Sequence, residues 1–492
     1  MSISDSQYLE WLQTPNKMRV ILCEYDYLES GVLKHGYCSN NSFVSLPSDS
    51  PANTAYDDVI VGDITYSRSL SETLNGGASV SRGEVAIVLN DDLQNLIGGW
   101  FNLQSLNIFL GDKSWPRNDF RKIVSGVSKE KRINRNELII SFRDDAELLN
   151  TPFKRTLVSS GVSAGKNIPL CFGQCFNITP LLVDHTTRKY QVHDGAVNDI
   201  VDVRDNGVSV GFTKTNSTGT FVLTAAPAGQ ITCDVKGAHP TTGSITGYKS
   251  TACNIVELIL RNYAGFSAGD VDSTSLTVLN SAAAYDCGLY VVNDNYTMIE
   301  AINSLLKSIG GFWLINRLGV FSVGRLQTPT TSANTLLNDE IEEFGLTVRK
   351  IIPPETSVRL GYKKNWTDQS SGLASSVTID NKALYSTSYS VSTATDLTIL
   401  ANYPDAKSGV DVETYLVNKA DADTESTRRL NLVKIQRQTY EVFALTASFS
   451  FNIGDMLDIT YNGFGFSNSK SVIITSVSEK IGAGSSILEV WA

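Results

Sequence analysis

Histidine is scarce in this chain, with four in 492 residues. That leaves little for general acid–base catalysis, in which histidine is the commonest group. A basic tract is also lacking. Lys+Arg total 41 against 51 Asp+Glu, a formal net charge of −10. The densest basic run, residues 129–135, reads as a solvated strand or turn. Tight nucleic-acid binding needs clustered cations and is disfavoured. No apolar run approaches the roughly 18 residues that a membrane-spanning helix needs. The N-terminus, from Met1 to Leu12, is acidic and has no apolar core of the kind a signal peptide carries. Cysteine is limited to Cys23, Cys38, Cys171, Cys175, Cys233, Cys253 and Cys287. An odd, scattered set outlines no disulfide framework and fits assembly in a reducing cytoplasm.

What is present points to strands. Charged residues make up 19% and hydrophobic residues 42%, so a large core needs neither disulfide nor metal to hold it. Ser, Thr, Asn and Gly are abundant, which suits many turns and many subunit contacts. The length corresponds to roughly three or four domains. The predicted fold is mainly β with a smaller α+β part. Residues 1–150 read as a first β-barrel, with alternation in Ser81-Arg-Gly-Glu-Val-Ala-Ile-Val-Leu89. Residues 151–250 read as a small all-β module. Residues 251–335 form an α+β module with helices over 252–263 and 295–309, the second ended by Gly310-Gly311. A hairpin across Arg317 follows. Residues 336–492 read as a second β-barrel with one long polar helix from Asp421, whose acidic start and basic later turns match the helix dipole. Four short strands finish it, in 440–451, 452–461, 471–478 and 486–491. The two ends look like two independent barrels, and no repeat of fixed period appears.

Candidate chemistry is thin. The doublets Asp57-Asp58, Asp91-Asp92 and Asp144-Asp145 put neighbouring carboxylates on opposite faces, which suits turns and caps rather than acid–base pairs. Cys171 and Cys175, with His185 and His193 downstream, are the one metal-like set. The cysteine spacing fits zinc, but the histidines lie too far apart for a finger, and buried free thiols explain the set as well. Gly161-Val-Ser-Ala-Gly165 has the spacing of a nucleophile elbow, yet Lys166-Asn-Ile-Pro169 reads as loop where a helix should follow Ser163. No Walker or dinucleotide loop follows a strand. The expected catalytic, cofactor and metal residues are therefore none.

Several stretches carry a resemblance. They are Pro51–Ile60 with Tyr66–Leu70, Leu110–Phe120 leading into Ile123–Gly126, Pro169–Gly173 with Leu182–Asp184 and Tyr190–Ala196, and Leu416–Glu425 running into Ile453–Asp455 and Leu488–Trp491. In order and spacing this set resembles the tail-tip or baseplate hub proteins of long, non-contractile-tailed bacteriophages, a family related to the trimeric hub of contractile phages. The match covers most of the chain, leaves the Ser/Thr-rich stretch 367–395 unmapped, and includes no iron–sulfur module. The resemblance implies a homotrimer in which two tube-like barrels per chain build a pseudo-sixfold ring. That ring would join the tail tube to a threefold tip and line a channel for DNA ejection. Implied partners are a distal tail protein or tail-tube ring, the tape-measure protein, and a central fibre or receptor-binding tip proteins. DNA would pass transiently, without specific binding and without membrane insertion by this chain, and an acidic wall suits that passage. The implied location is the virion tail tip, after assembly in the host cytoplasm. Two alternatives remain. One is a tail-associated hydrolase of cell wall or surface glycan, with Trp100 and Trp115 lining its cleft. The other is a receptor-binding tip protein acting through 151–250 or 367–395.

Overall fold

The computed structural model describes residues 3–14, 18–70, 82–316, 318–445, 451–481 and 485–492. The expected hairpin crossing at Arg317 and the strand stretch 446–450 lie outside the described residues in part. The fold is mainly β with a smaller α+β part.

Strand alternation places the core as expected. In Arg82–Val88, Val85 and Ile87 are fully buried, alternating with exposed Glu84 and half-buried Ala86 and Val88. The first barrel runs through Ile60–Ser69, Arg82–Val88, Glu137–Arg143, Arg121–Asn134, Ser105–Asp112, Arg19–Glu29 and Val32–Ser39. It closes through Ala55–Asp58, which pairs parallel to Val32–Ser39. Val59 then donates to Ser39 O at 3.1 Å and accepts from Val88 N–H at 2.8 Å. The core is aromatic-rich, with Tyr25, Tyr66, Phe101 and Phe142 among its members. The N-terminal helix Asp5–Gln13 packs on this core through Tyr8 and Trp11.

The second barrel runs through Ile341–Ile352, Arg437–Ala444, Ser485–Trp491, Lys470–Lys480, Met456–Ile459 and Thr335–Leu336. The turn at Asn338–Glu340 leads back into Ile341–Ile352. Its core is chiefly aliphatic, with Leu346, Val442, Leu457, Val472 and Leu488.

The first four strands of each series stand in the same order, and the details repeat. The opening strand breaks register early, between Val61 and Thr65 in one barrel and between Ile341 and Leu346 in the other. The closing hairpin carries a bulge, between Ser128 and Glu130 or between Ile474 and Ser476. Each hairpin then runs regularly to its turn, from Glu130↔Ser141 to Asn134↔Glu137 and from Ser476↔Glu489 to Lys480↔Ser485. The expectation of two independent barrels is corrected in one respect. Both belong to a single 15-stranded sheet, because Lys470–Lys480 also pairs with Ile60–Ser69.

Between the barrels lie two smaller sheets. One orders Val208–Ser209, Val197–Asp205, Ile231–Ala238, Leu170–Ile178 and Gly288–Val291; the other orders Leu181–Asp184, Lys189–Gln191, Thr220–Leu223 and Phe212–Thr215. The helix Met298–Ser308 starts at its Thr297/Glu300 capping box and stops before Gly310, at φ +64°. It buries Met298, Ile302 and Leu305, as the periodicity predicts. The helix expected over 252–263 stops sooner. Ala252–Leu258 is α-helical and Ile259–Tyr263 forms a wider π turn. Asn262 leaves the apolar stripe and exchanges hydrogen bonds with the backbone of Ile245 at 3.0 and 2.8 Å. A helix over Ser273–Ala282, capped by Asp272, was not visible in the sequence pattern. The stretch 367–395 is not irregular throughout: it holds the helix Ile379–Ser386 and the strand Ser390–Thr395. That strand joins Glu355–Tyr362 and Lys407–Glu413 in a three-stranded sheet packed on the long helix Lys419–Val433.

Candidate functional site

The seam between the barrels is the most built site in the molecule. On one edge, Lys470–Lys480 pairs first with its own barrel, Met456↔Ile473 to Ile459↔Lys470. Past the bulge at Thr475 the same edge pairs with the other barrel, Ser476↔Ser69 to Lys480↔Thr65. A bulge bends and twists a strand, which lets one strand serve two walls. Leu70 N–H donates to Thr475 O at 2.8 Å, and Ser67 Oγ and Ser478 Oγ lie 2.8 Å apart. Arg68 and Glu479 form an ion pair at 3.4 Å with both side chains 1% exposed. Arg68 also donates to Phe451 O and lies over the Tyr66 ring. Removing either charge would take the opposing charge from the other in the interior.

A second buried cluster centres on Glu425 of the long helix, which is fully buried. Its oxygens accept from Arg325, from Arg428 at 2.8 and 2.9 Å, and from Arg429 at 2.6 Å. Burial alone would raise the Glu425 pKa, but the three guanidiniums outweigh it and hold the carboxyl below its ordinary value. Other donors of Arg325 and Arg429 reach helix ends. Arg325 bonds Ala282 O, and Arg429 bonds the carbonyls of Lys307 and Ser308. Those carbonyls close Ser273–Ala282 and Met298–Ser308, where the helix dipole favours cations. Arg428 and Arg429, expected to serve the dipole of their own helix, both turn to Glu425; Arg429 also caps Met298–Ser308, as Arg325 caps Ser273–Ala282. The one signal was a glutamate three and four residues before an arginine pair.

The sequence-derived candidates do not converge on chemistry. Cys171 and Cys175 are buried and free in a small β core shared with Cys233. Burial pushes the Cys171 thiol well above its ordinary pKa, against the thiolate a metal needs. His193 is buried and accepts the Cys171 backbone N–H at Nδ1, 3.0 Å away, while His185 sits exposed in the hairpin turn after Asp184. Burial lowers the His193 pKa to about 4, so this imidazole is neutral near pH 7. Among the described residues, no three His, Cys, Asp or Glu side chains group for a metal. Ser163 lies in a loop, and Lys166 donates back to Ser163 O at 3.0 Å, so no helix follows. Asp57 and Asp58 are exposed on a strand, and Asp144 caps a short turn through Ala146 N–H. Asp91 opens a 3-10 turn; the side chains of Asp92 and Asp145 lie outside what the structure describes. Trp115 packs on Trp11 and Tyr8, whereas Trp100 is exposed and bridges Leu28 through its backbone.

Two cavities were not foreseen. One of about 590 Å³ lies beside Arg325, Arg428 and Asp272, and one of about 560 Å³ beside Tyr290, Tyr296, Trp366 and Tyr415. In the first, Asp272 caps its own helix through Thr274 and Ser275. In the second, the Tyr290 hydroxyl donates to Thr179 O at 2.6 Å.

No protein-family model matches the chain, and no curated protein matches it. Solved tail proteins are among the structures it is similar to. A 43 kDa tail protein of prophage MuSo2 from Shewanella oneidensis aligns over 96% of this chain and 98% of its own, at 10% identity and TM-score 0.43. A tail protein from Neisseria meningitidis MC58 aligns over 96% and 97%, at 8% identity and TM-score 0.42. The prophage tail protein gp18 from Listeria monocytogenes EGD-e aligns over 96% and 94%, at 10% identity and TM-score 0.42.

Proposed function

We propose that this chain is a structural protein of a bacteriophage tail tip, a hub that assembles as a homotrimer. The observation that carries this reading is the repeated barrel: two walls of the same strand order, fused edge to edge in one sheet. Three such chains supply six similar wall segments, which matches a sixfold tube on one side and a threefold tip on the other. The four divisions then take roles. Residues 1–150 and 336–492 provide the barrels, and 151–250 and 251–335 the β and α+β modules beside them. The net charge of −10 suits a channel through which DNA slides without sticking. Partners in this reading are a distal tail protein or tube ring, the tape-measure protein and a tip fibre, with the virion tail tip as the location. The role in this reading is not enzymatic: Ser163 lies in a loop, Asp144 caps a turn and His193 packs in a core. Mass measurement of the purified chain and of intact tails tests the proposal. A trimer present in tail tips is expected; a stable monomer absent from tails would contradict it.

A further inference from the structure

The two barrels differ in what covers their equivalent edges. In the chain, residues 476–480 of the second barrel's hairpin pair with Thr65–Ser69 of the first barrel's opening strand. The equivalent hairpin residues in the first barrel are 130–134, set by the matching bulges and turn registers. The equivalent opening-strand residues in the second barrel are 346–348, set by the matching register breaks, and by count 349–350, which lie across a second break between Val348 and Lys350. On the corresponding edges, these two segments have no strand partner among the described residues. Arg121–Asn134 pairs with Ser105–Asp112 only up to Val127, and Ile341–Ile352 ends the sheet. Ile133 is 47% exposed and Val348 38%. Beside the second edge, Phe344 is 82% exposed at φ +61°. A bulky residue in that region is uncommon, and an open strand edge flanked by apolar side chains is a template for pairing.

We propose that residues 130–134 of one chain pair antiparallel with residues 346–350 of a second copy, repeating between chains the seam already present within one. By count the register is Glu130 opposite Lys350, Lys131 opposite Arg349, Arg132 opposite Val348, Ile133 opposite Thr347 and Asn134 opposite Leu346; the last three pairs lie before the break at Arg349 and follow the internal seam directly. The first pair is charge-complementary. The second sets cations opposite each other, but both already have partners. Lys131 Nζ bonds the carbonyls of Leu96 and Ile97, and Arg349 pairs with Glu441. Arg132 and Val348 take the places of Ser478 and Ser67, whose side chains touch across the internal seam. The contact is head to tail, so it makes a ring if the rotation closes. Closure at three rests on the hub reading above.

The test uses the full chain carrying Arg132→Cys or Val348→Cys. The seven native cysteines are buried, and directly opposed strand residues have disulfide spacing. Under mild copper–phenanthroline oxidation, an equimolar mixture should cross-link at least about tenfold faster than either variant alone. The double variant should give a covalent trimer. A mixture no faster than the single variants would overturn the proposed pairing. The mass of the unoxidised chain separates the two readings. A trimer without this cross-link removes the register and leaves the hub; a monomer removes both. Cross-linked products running past three copies keep the pairing and remove the threefold hub. Each variant should melt like the parent chain; if one does not, Ile133→Cys with Thr347→Cys replaces the pair and the same outcomes apply.

Discussion

The two barrels share a strand order but not a core or an edge. The first is filled with stacked aromatics, such as Tyr66 on Phe142 and Tyr27 on Phe101. The second is filled mostly with aliphatic chains. At the seam inside the chain, a buried Arg68–Glu479 pair locks one barrel to the other. At the equivalent outer edges, Arg349 and Arg132 make exposed pairs with Glu441 and Glu84. The same strand geometry therefore serves two purposes. Sealed with buried charge, it is the joint within the chain; left with exposed charge and apolar side chains, it is the edge proposed to meet a second copy.

The largest way to break this comparison is at the seam. Arg68→Ala takes the opposing charge of their ion pair from buried Glu479 and should cost about 3–5 kcal/mol. Denaturant unfolding should then split into two transitions, because the joint no longer couples the barrels. A single unchanged transition would show that the seam carries no coupling. Core truncations sharpen the same point. Ile140→Ala and Leu457→Ala remove fully buried side chains from the first and second barrels, at about 2–5 kcal/mol each. In the parent chain both should lower one shared transition; in the Arg68→Ala background each should lower only its own.

Acid should single out the middle module. His193 has a folded pKa of about 4, lowered by burial from 6.5. The unfolded chain therefore binds the extra proton first as pH falls. Stability is full above pH 6.5 and declines towards pH 4, by on the order of 3 kcal/mol. His193→Gln should flatten that slope in denaturant titrations, and an unchanged slope would contradict the assignment. The smallest effect is expected at the free edge. Val348→Ser should stay within about 0.5 kcal/mol for the isolated chain while weakening assembly measured by sedimentation.

Much of this was legible in the chain. Alternation found Arg82–Val88 and the four terminal strands. The helix Met298–Ser308 followed from its stripe and its Gly310 stop. The roles of two candidates were also readable: Asp144 caps a turn and His193 packs in a core. The repeat was not readable. In the first barrel the opening strands, Ile60–Ser69 and Arg82–Val88, lie close in sequence. In the second, residues 353–436 intervene between Ile341–Ile352 and Arg437–Ala444 and fold into their own sheet and helix. Unequal insertions erase a fixed period while leaving the strand order intact. The seam was hidden for a related reason. Ser69 and Ser476 are neighbours only because the bulge at Thr475 redirects a strand, and no local pattern encodes that partner.

The central claim is that one chain is two segments of a continuous wall. Electron cryomicroscopy of the assembled full-length chain tests it most directly. The account predicts a three-chain ring of six barrels, with the strand pairing at Ser67–Ser478 repeated between chains at Arg132 and Val348. Single chains, or rings whose barrels meet through other edges, would contradict it.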